Sequence, residues 1–384
     1  MKHLRKKTTS IKADSQRGLS LVELMISITI GLLILVSLTS LFVNQNKARS
    51  ELDKSNRMID NGRYALELLS GNLKLAGFFG SYVPTGSPTA LLDPCDTGAM
   101  TNSTLNLNLL RAPVHGYDAA TASSQITALP TLCAFTNTAG SMESLKPGSD
   151  VLVVRRANTS TITQAAAAAA GINGTTYLQI TSCQYDTTPY LISTDPDALT
   201  LGQRNITKPA PLLNCFSAGG ITTIAAPYAD VRALKVEAYF VSPDNNPGDG
   251  IPTLKRRELS ISGGAPTFVT TPLVEGIEFM QVEYGIDDPA QDTDGDGVAG
   301  LDGVPDSYDA CAACTLEQWS NVVSVKLYLV ARNIEKTSGY IDAKTYSLGS
   351  AGSYIPTEGN TNFKRHAYTQ NIRLVNPSGR REVP

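Results

Sequence analysis

Chemistry-bearing side chains are scarce in this chain. It has 3 histidines in 384 residues (His3, His115 and His366), and His3 lies in a basic N-terminal segment. No G-x-S-x-G occurs, so a hydrolase built on a histidine base has little to draw on. Charge is also thin, at 17% of residues, where about a quarter is usual. Beyond residue 18 no basic run exceeds the three residues Lys255-Arg256-Arg257. Without residues 1–18, the 32 basic and 35 acidic residues become 26 and 34, a balance of −8. That argues against a nucleic-acid-binding surface of the usual electrostatic kind. No internal repeat occurs. From Leu24 to Val43 charge and proline are missing altogether.

That last absence is the strongest positive signal. A run of about 20 apolar residues spans a bilayer as a helix. A secretory signal peptide would place its cleavage site after the run. Here the run passes into Val43-Asn44-Gln45-Asn46-Lys47 with no A-x-A-like site. The segment before it holds Lys2, Arg5, Lys6, Lys7, Lys12 and Arg17 against Asp14, a charge of +5. Positive flanks stay cytoplasmic, so the C-terminal bulk is expected on the far side of the membrane the run crosses. Between the two lies Arg17-Gly18-Leu19-Ser20-Leu21-Val22-Glu23. An acid at the depth of Glu23 costs about 2.5–3.5 kcal/mol on insertion scales, so its default reading is functional. A plain single-span anchor would instead carry it as a snorkelling acid.

A leader ending in glycine, a hydrophobic first mature residue and a glutamate at mature position five together resemble the type IV pilin signal. The resemblance implies that prepilin peptidase removes residues 1–18 after Gly18. Leu19 would then be N-methylated, and Glu23 would pair with the amino terminus of a neighbouring subunit. Leu19 departs mildly from the phenylalanine commonest at that position.

The helix is expected over residues 19–78, with 19–43 in the membrane or filament core. From Leu19 to Leu75 it would reach roughly 85 Å at 1.5 Å per residue. Leu52, Ile59, Leu66 and Leu73 recur every seven residues, with Ala48, Ser55, Gly62, Leu69 and Ala76 as a companion row. This predicts one apolar stripe with small-residue notches, packed on a sheet. Gly77, Gly80, Pro84 and Pro88 end the helix.

Residues 79–228 read as a β- and loop-rich insertion region, with strands at Asp150–Arg156 and Tyr177–Thr181. The tract Ala165–Ala170 is too short for a stable isolated helix and reads as a loop or single turn. Residues 229–384 read as the antiparallel sheet region. Val231–Val241 alternates as a strand with one buried face, and Leu254–Ser262 reads as an exposed or edge strand. Further strands are expected at Ile277–Tyr284, Val323–Val330 and Tyr368–Val375, giving one sheet of four or five strands. Cys95, Cys133, Cys183, Cys215, Cys311 and Cys314 all lie on the translocated side, where an even count suggests up to three disulfides. Cys311 with Cys314 and Cys95 with Cys133 are plausible local pairs. The spacing of Cys311-Ala312-Ala313-Cys314 also suits a disulfide oxidoreductase, but it follows an Asp-rich loop rather than a βαβ unit.

The strand Val274–Phe279, the lone Trp319 ahead of Val322–Val325, and the ending Thr369–Asn376 resemble PilW-type minor pilins. Their counterparts in type II secretion are the J-type minor pseudopilins. The resemblance implies an α+β pilin-like fold, a long N-terminal helix on an antiparallel sheet with large β and loop insertions. It also implies a non-enzymatic assembly role with prepilin peptidase, other minor pilins, the major pilin and the inner-membrane assembly platform as partners. The protein would prime the pilus and sit at its tip, supporting twitching motility or DNA uptake. A tip adhesin or a secretion pseudopilin is the alternative.

One further motif stands apart. Asp292-Thr293-Asp294-Gly295-Asp296-Gly297, in the Asp-rich stretch 287–310, follows the D-x-D-x-D-G opening of a calcium loop. Asp292, Asp294 and Asp296 would converge on Ca2+, with the Val298 carbonyl next, and Asp302 and Asp306 closing the shell. An EF-hand would have glutamate where Gly303 stands, and a solvated acidic turn is the plain alternative.

Overall fold

The computed structural model describes residues 20–96, 103–172, 174–181, 188–202, 228–262, 265–290 and 300–382. The chain forms two compact units, Met1–Asp53 and Lys54–Pro384. Helix α1 (Leu21–Leu75) contributes to both. In the first unit every residue from Ser20 to Ser50 is exposed.

In the second unit, α1 buries Met58, Gly62, Ala65, Leu69, Ser70 and Leu73. The apolar members recur at intervals of four, three, four and four, one face of a 3.6-residue helix. This corrects the sequence expectation in detail. Gly62, Leu69 and Ala76 of the companion row and Leu73 of the first are buried, whereas Ile59 and Leu66 flank them half-buried and Leu52 is 63% exposed. The reason is approach distance. At Gly62 the helix comes so close to Tyr368 that a Cβ would enter its ring, and the Tyr368 hydroxyl donates to the Ile59 carbonyl at 3.1 Å.

After α1 come α2 (Ser103–Arg111), β1 (Val114–Tyr117), β2 (Val151–Ala157), α3 (Gln164–Ala170), β3 (Thr176–Ile180) and β4 (Tyr190–Ser193). Then follow β5 (Val231–Ser242), β6 (Thr253–Ser262), β7 (Ala265–Glu275), β8 (Ile277–Ile286), β9 (Ser307–Asp309) and α4 (Leu316–Ser320). The chain ends with β10 (Val322–Arg332), β11 (Tyr346–Ser347), β12 (Ser353–Tyr354), β13 (Arg365–Arg373) and α5 (Val375–Gly379). Among the described residues these strands make two main antiparallel sheets and a small hairpin, β11–β12. The larger sheet has seven strands, ordered β1-β2-β5-β3-β4 with β6 and β7 added beside β5. The smaller is β13-β10-β8-β9.

The single sheet expected from sequence is therefore two. Strands β5 and β6 belong to the larger one, while β8, β10 and β13 form the smaller. The break is at Gly276, in the segment Val274–Phe279 that reads as one strand. Its φ of +78° and a peptide oxygen, Arg332 O, only 2.7 Å from where a Cβ would stand demand glycine. The larger sheet also crosses the division at residue 228, because β1–β4 pair directly or indirectly with β5.

Two strands are more buried than their patterns suggest. On β5, Val236, Ala238 and Phe240 pack with Ile126, Phe135 and Leu145, while Tyr239 and Val241 face the core shared with α1. Strand β6 is interior, between β5 and β7. Its buried charges are partnered: Lys255 Nζ donates to the Met142 carbonyl at 3.3 Å, and Arg257 reaches Glu143 Oε1 at 2.8 Å. The alanine tract is a helix, α3. Thr163 caps it through Ala166 N, Gly171 ends it, and Ala167 packs with Tyr177, Leu199 and Val231. Tertiary contact supplies what the isolated tract lacks.

The main core joins α1 to both sheets through Leu69, Leu73, Tyr239, Leu254, Met280, Val282, Trp319 and Leu327. Asp150 ties the sheets together, accepting from Ala119 N and Val282 N, each at 2.8 Å. Burial pushes its carboxyl well above the usual carboxylate range, and Asp118 adds to that against the two amide donors.

Candidate assembly site

The N-terminal end of α1 is built around Ser20 and Glu23. The Ser20 carbonyl accepts the first helical bond from Leu24 N at 3.1 Å. Its hydroxyl oxygen accepts from Glu23 N at 3.2 Å, as an N-cap does. Glu23 lies in the first turn and is exposed, where a carboxylate meets the positive end of the helix dipole. Gly18 and Leu19 lie outside the described residues.

Beyond Glu23 the helix presents apolar side chains all round, and its most apolar 18 residues have a mean hydropathy of 2.5 with none buried. Among the described residues this is one helix long and apolar enough to cross a membrane. Most of its hydroxyls bond back into the helix. Ser27 donates to the Glu23 carbonyl at 2.7 Å, Ser37 to Leu33 at 2.9 Å and Thr39 to Leu35 at 2.8 Å. Hydroxyls consumed in this way present no unpaired O–H to hydrocarbon.

In the second unit α1 is held by polar clasps as well as by its stripe. Asn61 Nδ2 donates to the Glu275 carbonyl at 3.0 Å. Asn72 donates to the Tyr239 hydroxyl at 2.7 Å and accepts from Arg156 Nε at 2.9 Å.

Cys95–Cys133 and Cys311–Cys314 are disulfides; Cys183 and Cys215 lie outside the described residues. Asp93 and Asp309 stand beside these sulfurs, but disulfide sulfur offers no thiolate to a metal. Both carboxylates instead accept from backbone amides, those of Cys95 and Cys311. The Cys311–Cys314 turn leads from β9 into α4, whose start is closed by a capping box between Thr315 and Gln318.

Of the calcium candidates, Asp292, Asp294, Asp296 and Val298 lie outside the described residues. Asp302 and Asp306 are described, and each serves a loop amide. Asp302 Oδ1 accepts from Val304 N at 2.7 Å, and Asp306 Oδ2 from Asp288 N at 2.6 Å.

Two groups were not expected from the sequence. Glu278, Arg365 and Asp342 form a buried charge cluster. Arg365 Nε meets Glu278 Oε2 at 2.5 Å and its Nη1 meets Asp342 Oδ2 at 3.1 Å. A charged residue inside an apolar strand was the available hint. Arg111 and Arg380, far apart in sequence, both line a cavity of about 370 Å³ that Pro377 also borders. At the same place Arg380 Nη2 donates to the carbonyl of Gly77, just past the end of α1, at 2.8 Å. No local pattern brings these arginines together.

Residues 14–39 match the prokaryotic N-terminal methylation motif, and residues 238–376 match the family described as Type IV Pilus-assembly protein W. The C-terminal part of the chain thus resembles the PilW family, behind a match to a prepilin methylation motif. No curated protein and no solved structure matches it. The PilW match begins within β5 and ends just past β13, so β1–β4 lie outside it. The two matches together support a pilus minor pilin with a membrane-type anchor helix, and imply processing by prepilin peptidase.

Proposed function

We propose that this protein is a minor pilin that primes type IV pilus assembly and is carried at the pilus tip. Cleavage after Gly18 would free the amine of Leu19, and the chain would wait in the inner membrane with its PilW-like domain outside the cytoplasm. The observation that carries this reading is the N-terminal half of α1. A capped helix with an exposed acid in its first turn and fully exposed apolar flanks is a surface made for lipid or for other such helices. Packed among other pilin helices, the Glu23 carboxylate meets a neighbour's terminal amine. Their attraction in low dielectric offsets the desolvation of both and sets the axial register.

Mass spectrometry of the N-terminal peptide, in membrane and in sheared-pilus fractions, tests processing and location together. A peptide beginning at methylated Leu19, found in both fractions, supports the reading. Piliation in a deletion strain tests priming: pili are lost if the protein primes, whereas normal pili with lost attachment point to adhesion instead.

A further inference from the structure

The cavity beside the C-terminal end of α1 has a composition that neither the fold nor the filament role explains. Its volume, about 370 Å³, lies in the range of ligand pockets, roughly 300–1,000 Å³. Pro84, Pro113, Pro289 and Pro377 line it, and their restricted backbones make a wall that loses little entropy when something binds. Two arginines project on it. Arg111 Nε donates to the Thr85 carbonyl at 2.6 Å and its Nη1 to Ser87 at 3.1 Å. Arg380 donates through Nη2 to Gly77 at 2.8 Å. Each guanidinium has five N–H donors, and among the described residues neither has a carboxylate partner. Burial alone pulls the Arg380 guanidinium below its usual range, with no acid offsetting it. Arg381, which also lines the cavity, is already paired with Asp287 at 2.9 Å. The acid among the described lining residues is Glu317, exposed at the surface.

Half-buried guanidinium groups held by main-chain carbonyls, with donors to spare, suit planar carboxylates. We infer that the cavity is a docking site for an extended acidic peptide segment of a partner polypeptide, its carboxylates bound by Arg111 and Arg380 and its backbone laid along the proline wall. The inference goes beyond the filament reading and does not depend on it, since none of the lining residues belongs to the N-terminal signal or to α1 residues 21–43. The chain has acids of its own to set against the probe: Asp292, Asp294 and Asp296 stand between Ala290 and Gly300 in the sequence.

The test is peptide titration of the full chain in detergent, using fluorescence anisotropy. The probe is a labelled acetyl-Ala-Asp-Ala-Glu-Ala-amide, compared with its Asn/Gln counterpart. The chain is used in its natural form and with Asp292, Asp294 and Asp296 changed to Asn, which removes these acids. Saturable binding of the acidic peptide by either form is expected. Binding should weaken with salt, and the Asn/Gln peptide should bind about tenfold or more weakly, the scale of one lost charge-assisted hydrogen bond. Arg111→Gln alone should weaken it, Arg111→Gln with Arg380→Gln should abolish it, and the corresponding Lys pair should restore part. Unchanged melting of Arg111→Gln checks that folding is intact. No binding by either form, equal binding of the two peptides, or insensitivity to both arginines overturns the proposal. So does tighter binding of inorganic phosphate or a single-stranded oligonucleotide. Any of these results would leave the N-terminal mass measurement untouched.

Discussion

Residues 24–43 and 54–75 belong to one helix, yet their side chains obey different rules. In the first stretch apolar groups point in every direction and all are exposed, as for Leu33 at 68% and Phe42 at 63%. In the second, one face is buried to a few per cent, and its centre holds small residues, with Ala65 at 0% and Gly62 against Tyr368. The two glycines make the contrast concrete. A Cβ on Gly31 would meet nothing within 4 Å, whereas one on Gly62 would enter the Tyr368 ring. The first stretch is thus an uncovered apolar surface, and the second is a surface that already has a neighbour. Hydrophobicity alone does not distinguish them. What does is whether the apolar residues keep to one face and whether small residues allow another backbone or ring to approach.

The largest effect is expected at the boundary before the first stretch. Gly18→Ala should leave the 18-residue leader attached and abolish incorporation into pili. Mature-length protein in that variant, seen by mass spectrometry, would remove the basis of the prepilin reading.

Glu23→Ala should be processed normally but assemble poorly. Leaving one member of a buried ion pair alone costs about 3–5 kcal/mol, so recovery of partner pilins by co-purification should fall well beyond tenfold. Wild-type recovery would mean that Glu23 is only a tolerated interfacial acid.

Within the second stretch, Gly62→Val should lower the melting temperature of the full chain in detergent, since overpacking costs about 1–3 kcal/mol. Adding Tyr368→Ala should restore part of the loss by making room. Gly31→Ala should be neutral or stabilising by up to about 1 kcal/mol. If both glycines respond alike, the contrast between the two stretches does not hold.

A smaller effect tests the calcium expectation for Asp292, Asp294, Asp296, Val298, Asp302 and Asp306. Extracellular sites bind at about 10⁻⁴–10⁻³ M, so a tenfold excess over Kd adds about 1.4 kcal/mol. Millimolar calcium should raise the melting temperature, magnesium much less, and Asp294→Ala with Asp296→Ala should erase the difference. A melting curve and a calorimetric titration that both ignore calcium would leave a solvated acidic turn.

The sequence alone determined the N-terminal half of α1, because a long uncharged run needs no tertiary partner to declare itself and the order of glycine, hydrophobe and glutamate is local. Alternation likewise marked β5, β8, β10 and β13, since a strand's period of two survives wherever at least one face is apolar. Only the tertiary structure decided which strands share a sheet, because pairing is non-local and a single glycine, Gly276, divides what reads as one strand. It also decided that β6 is interior, where Glu143 and the Met142 carbonyl receive charges that would otherwise argue for exposure. In residues 79–228 the runs Asp150–Arg156 and Tyr177–Thr181 were legible and are β2 and β3, whereas the short strands β1 and β4 are held by pairing with β2 and β3 rather than by their own periodicity. The same holds for Arg111 and Arg380. Nothing local marks an arginine as unpaired, since that depends on which acids the fold leaves out of its reach.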